Sequence, residues 1–160
     1  MDYKVLVVRQ PWAWLIVNGF KDIENRSRRA HYRGGLLIQA SANLPPKREF
    51  EEIRAFVRAR RVRLPAEFDT GGIVGMVRLE DCVTASRSKW FEGEFGWVLS
   101  HPRKLPFTPL KGRLGLFDPP NHILRGSVFG SEQSGHLWNS GSRTRSRIAW
   151  PASPRKSRKR

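Results

Sequence analysis

The sequence predicts an α+β fold built on one small, curled sheet. Three observations predict it. The chain has 160 residues, the size of one domain. Five or six short apolar runs read as strands, against two or three helical patterns. The helical patterns interrupt only the early strands, and the later strands follow one another directly, which disfavours a doubly wound parallel sheet.

In chain order, Val5 to Val8 is a buried strand by its unbroken apolar run. Gln10 to Asn18 is a short helix, with Pro11 in its first turn and Gly19 as its stop. Trp12, Leu15 and Ile16 form its apolar stripe. If Asp22 to Arg26 is extended, Asp22, Glu24 and Arg26 face one way, and Ile23 and Asn25 the other. Leu36 to Ala40 is a second apolar strand. Lys47 to Arg60 is a helix with Phe50, Ile53, Phe56 and Val57 on one side; its acidic residues come early and its arginines late, as the helix dipole favours. Ile73 to Val83 is a long strand, with Ile73, Gly75, Val77 and Leu79 expected on one face and Val74, Met76 and Arg78 on the other. Phe95 to Leu99 and Gly115 to Phe117 complete the sheet.

Charge divides the chain. There are 30 Lys and Arg against 14 Asp and Glu, a net charge of +16. The 43 residues from Asp118 onward hold nine of the basic and two of the acidic residues. They are rich in Ser, Gly and Pro and lack apolar periodicity. The expectation is a folded domain over 1–117 and a basic, disordered tail over 118–160. Such a tail suits polyanion partners, and Trp138 and Trp150 in it are candidates for base stacking. No apolar stretch reaches the length of a membrane helix, and Val5 to Val8 is too short for a secretory signal. With a single cysteine, Cys82, this places the chain in the cytoplasm.

Most catalytic patterns are missing. The sequence has no CxxC, HExxH, P-loop or GxGxxG, and its four histidines lack ligand spacing, so neither a metal nor a cofactor is expected. Cys82 follows Glu80 and Asp81, which work against a reactive thiolate. The remaining cluster is Gly19-x-Lys21-x-x-Glu24-x-Arg26. It reads either as a surface salt-bridge cluster or as a polar cleft in which Arg26 orients Glu24. A partly desolvated Lys21 near another cation suits a base or nucleophile. Upstream, Arg9 adds charge, Gln10 a two-sided hydrogen-bonding group and Trp12 a stacking plane.

This cluster resembles the GxKxxExR signature of the ASCH domain family. The flanking segments are similar too: Arg9 to Ala13, Arg33 to Ile38, Ala40-Ser41, Gly72 to Gly75, Phe95-Gly96-Trp97, Pro106-Phe107 and Lys111-Gly112. The resemblance spans residues 3–117. It implies a PUA-like fold, a small mixed β-barrel with flanking helices and a cleft at the signature. It implies RNA, another nucleic acid or a nucleoside as partner, held by Lys21, Glu24 and Arg26 with Arg9, Gln10, Trp12, Gln39, Ser41, Trp97 and Lys111 around them. In amidohydrolase-type members, which act on N4-acetylcytidine, a cleft lysine is the key catalytic group, and Lys21 matches it. Another member is described as a ribonuclease. Here Glu24 stands where those amidohydrolases have a threonine, and Gln39 and Arg28 stand where closer relatives are expected to carry histidine and tryptophan. A binding module, a Lys21-dependent enzyme and a protein-interaction adaptor all remain open from sequence.

Overall fold

The computed structural model describes residues 2–125. In chain order it contains β1 (Lys4–Val8), α1 (Trp12–Val17), β2 (Ile23–Arg26), β3 (Gly34–Ala40), α2 (Lys47–Ala59), β4 (Gly72–Val83), β5 (Phe95–Pro109), β6 (Leu116–Phe117) and α3 (Asn121–Arg125). The six strands form one mixed sheet in the order β2-β5-β4-β3-β1-β6. Only β1 and β3 run parallel. A parallel pair needs a long crossover, and α1 with β2 fills it.

The sheet curls. Four strand spacings separate β2 from β1, roughly 19 Å in a flat sheet. Yet Arg26 Nη2 on β2 donates to the Val7 carbonyl on β1 at 2.8 Å. One side chain spans that gap only because the sheet bends into an open half-barrel. The bend has a local cause. The β4–β5 ladder shifts register between Ile73 and Gly75, between Met76 and Arg78, and between Leu79 and Asp81, and bulges increase twist and bend strands.

These bulges overturn the simple alternation expected for β4. Val77 and Leu79 pack with Leu6, Ile16, Leu36 and Ile38. Ile73 instead joins Met76, Val5 and Leu37 on the opposite side. A third cluster, of Leu15, Ile23, Val57, Val62 and Trp90, binds α1 and α2 to the half-barrel. Cys82 is buried, and its Sγ accepts from the Ala30 amide at 3.4 Å.

Two expected boundaries move. β5 runs ten residues past Leu99. Ordered structure also continues beyond Phe117: α3 inserts Ile123, 1% exposed, beside Val5, Leu37 and Met76. The expectations for the basic tail beyond residue 125, with Trp138 and Trp150, lie outside the described residues.

Candidate functional site

Gly19 starts the construction of the site. At φ +81° it takes a left-handed conformation that other residues adopt at a cost. Its amide bonds to the Ile16 carbonyl at 3.1 Å, and the Phe20 amide to the Leu15 carbonyl at 2.9 Å. This pair of bonds is the glycine-terminated helix end in which orphan carbonyls find donors. The Lys21 amide also reaches the Leu15 carbonyl, at 3.1 Å. The chain is thereby reversed under α1, and the Lys21 side chain enters the fold at 5% exposure.

Lys21 Nζ donates to the Ile23 carbonyl at 2.5 Å and to Glu24 Oε2 at 2.7 Å. It also lies 5.8 Å from the Trp12 ring centre. The other Glu24 oxygen, Oε1, sits 3.5 Å from Arg26 Nε. One carboxylate therefore lies between two cations. Arg26 is held by the Val7 carbonyl and by the Trp97 face, 5.6 Å from its guanidinium carbon. The register explains that stack: Arg26 pairs with Phe95, and Trp97 is its diagonal neighbour on β5. The expected sharing of a face by Glu24 and Arg26 is present. Asp22, just outside β2, turns instead to accept from Ser88 Oγ at 2.5 Å.

Asn25 fixes the opposite wall. Its Nδ2 donates to the Trp90 carbonyl at 2.8 Å, and its Oδ1 accepts from the Glu92 amide at 2.9 Å. Trp90 then meets Trp12 and Phe56, with ring centres 6.5 and 6.3 Å away. The result is a cleft of about 360 Å³ lined by Arg9, Trp12, Lys21, Glu24, Asn25, Arg26, Phe56, Trp90 and Glu92, together with Val7 and Val8. Two of its lining residues carry buried donors without a hydrogen-bond acceptor, Arg26 Nε and Trp90 Nε1. Arg9, at the entrance, pairs with Glu49 across 3.2 Å.

The remaining sequence candidates separate into two groups. Gln39, Ser41 and Lys111 line a second cleft, of about 830 Å³, on the other side of Arg26 and Val7. Gln10 and Trp97 line neither. Gln10 is buried and structural: its Nε2 donates to the Asp69 carbonyl and its Oε1 caps the Trp14 amide, both at 2.9 Å. Trp97 is a core residue whose Nε1 donates to the Arg28 carbonyl at 3.0 Å. It supports Arg26 from behind and does not rim the cleft. Sequence reasoning missed Phe56, Trp90 and Asn25 as wall residues. Trp90 sits in a segment without periodicity, so only its residue type signalled it.

A model of the ASCH domain matches residues 6–109. The chain belongs to the ASCH domain family. Human activating signal cointegrator 1 is 30% identical over 137 residues, covering 78% of this chain and 24% of the relative. The mouse protein of the same name is 28% identical over the same coverage. The chain thus spans about a quarter of the length of these curated relatives. Among solved structures, ASCH from Zymomonas mobilis has a TM-score of 0.47 at 14% identity, covering 78% of this chain and 92% of that one. A single-substitution variant of it scores 0.48 at the same identity, with 78% and 95% covered. Among the described residues, no helix is long and apolar enough to cross a membrane.

Proposed function

We propose that the Lys21–Glu24–Arg26 cleft binds a base or nucleoside of RNA or another nucleic acid. The observation that carries this reading is the mismatch inside the cleft. Trp90 Nε1 is a buried donor left without an acceptor, and Arg26 Nε has only Glu24 Oε1, at 3.5 Å and short of a hydrogen bond. An unmet buried donor costs about 1–3 kcal/mol, and a ligand oxygen or ring nitrogen removes that cost. Trp12 and Phe56 bring aromatic surface to the cleft wall, backed by the buried Trp90, where a flat ring can pack. Membership of the ASCH family and the net charge of +16 support a polyanionic partner.

Binding is favoured over catalysis because Lys21 is already occupied. Two of its three hydrogens are committed to the Ile23 carbonyl and Glu24. An ammonium offers hydrogens and no lone pair, so Lys21 acts here as a donor and as the anchor of Glu24. A Lys21-dependent amidohydrolase of N4-acylated cytidine, or a ribonuclease, would need this pair to open first. The full chain and its Lys21→Ala variant, incubated with N4-acetylcytidine and with a mixed RNA oligonucleotide, separate the two readings. Retention of intact RNA by the wild type and its loss in the variant supports binding. Product in excess of protein that vanishes in the variant makes the protein an enzyme.

A further inference from the structure

The second cleft carries chemistry opposite to the first. Gln39 sits on β3, opposite Val7 in the β1–β3 register, and is 1% exposed. Its Nε2 donates to the Leu110 carbonyl at 2.5 Å. That bond fixes the amide orientation, because the reverse placement would set oxygen against oxygen. Oε1 is then left buried with no donor. A buried amide oxygen without a partner is rare and costly. Gln39 lines the cleft together with Ser41, Lys111, Arg113 and Arg26. The loop that closes the cleft passes so near that a Cβ on Gly112 would stand 3.3 Å from Gln39 Nε2 and 3.2 Å from Val7 Cγ2.

Arg26 and Val7 line both clefts. On the Lys21 side the unmet group is a donor, Trp90 Nε1, and on the Gln39 side it is an acceptor, Gln39 Oε1. We infer that the Gln39 cleft is a second subsite, which takes the N–H-bearing edge of a nucleobase neighbouring the one held beside Lys21. Gln39 Oε1 accepts from the amino or imino N–H of that base. Lys111 and Arg113, exposed cations on the rim of this cleft, face the phosphates that link the two nucleotides. The inference rests on the nucleic-acid reading of the first cleft and adds to it a chemical requirement that the first cleft does not impose.

The test removes the donor from the ligand and the acceptor from the protein in turn. Eight-residue oligouridine is compared with its N3-methyl counterpart, and oligocytidine with its N4,N4-dimethyl counterpart, by equilibrium titration of the full chain. The expected result is a loss of roughly tenfold on blocking the donor in at least one pair. In Gln39→Met the parent oligonucleotide binds more weakly and blocking has less than about a twofold further effect. If Gln39→Met does not fold, the wild-type Gln39 side-chain amide signal gives the same reading by NMR: it shifts with the parent oligonucleotide and stays with the blocked one. Equal binding of blocked and unblocked ligands by the wild type overturns the subsite. So does a blocking effect undiminished in Gln39→Met. If those failures occur while Lys21→Ala still abolishes binding, the first cleft stands and only the subsite falls. If the wild type binds none of the four oligonucleotides, both readings fall together.

Discussion

Glu24→Gln takes one negative charge from between two cations and leaves the shape unchanged. Lys21 is 5% exposed and Glu24 12% exposed in their side chains, and they meet at 2.7 Å. Breaking a buried pair by removing one partner costs about 3–5 kcal/mol, because the other charge stays buried. The Ile23 carbonyl still accepts from Lys21, which places the expected cost near the lower end, about 3 kcal/mol. For a domain of this size that lowers Tm by about 10 °C. Lys21→Met is expected to cost less, about 1–2 kcal/mol, since Glu24 keeps Arg26 at 3.5 Å. The double variant has no buried charge left unpaired between the two positions, so its cost falls below the sum of the singles. Urea titrations of the full chain and the three variants at neutral pH measure this, with an expected coupling of about 2 kcal/mol. Additive costs would show that Lys21 and Glu24 act independently and would refute the bridged-carboxylate account.

Four further outcomes are expected. Gly19→Ala forces a side chain to φ +81°, 3.3 Å from Pro102 Cγ; it costs about 1–2 kcal/mol in denaturant titration and weakens RNA binding because Lys21 is displaced. Arg26→Lys keeps the charge but loses the planar fork that joins the Val7 carbonyl, Glu24 and Trp97; RNA affinity falls several-fold, read by titration. Ile123→Ala empties a fully buried position on α3 and costs about 2–4 kcal/mol, whereas a residue on a free tail would cost nothing. The Cys82 amide, and then Arg33, hold the Asp81 carboxyl below the ordinary aspartate range. Its folded-state pKa is depressed, so its contribution to stability is present above the unfolded pKa and is lost as pH falls towards the folded one. Asp81→Asn therefore flattens the acid limb of the stability curve below about pH 4, as followed by thermal melts across pH.

Much of the fold was legible because burial leaves apolar runs. β1 and β3, buried for most of their length, appear as Val5 to Val8 and Leu36 to Ala40. The second half of β5 was not legible. Pro102, Pro106 and Pro109 argue against a strand, yet from Ser100 onward β5 pairs only with β4. On that open side a missing N–H costs no ladder bond, and edge strands tolerate proline. The face assignment in β4 failed because bulges reset period two: Gly75, a glycine inside a strand pattern, marks the first of them, and nothing in the residues that follow announces the other two. At the candidate site, spacing grouped Lys21, Glu24 and Arg26 within eight residues but left a surface salt-bridge cluster open; the resemblance to the GxKxxExR signature singled them out as a cleft. Gln10 and Trp97 were misread for one reason: residue type shows what a side chain can bond, while the Asp69 and Arg28 carbonyls that occupy them come from distant parts of the chain.

The most direct measurement is an NMR titration of the full, 15N-labelled chain with a single-stranded RNA octamer. The six tryptophan indole signals and the Arg26 Nε signal are the reporters. Trp12 and Trp90 line the Lys21 cleft, whereas Trp14 lines neither cleft, stacks on Phe20 and serves as an internal control. Early, saturable shifts of Trp90, Trp12 and Arg26 Nε with a still Trp14 are the expected result. Shifts confined to Trp138 and Trp150, with the cleft signals unmoved, would contradict the assignment of nucleic-acid binding to the cleft.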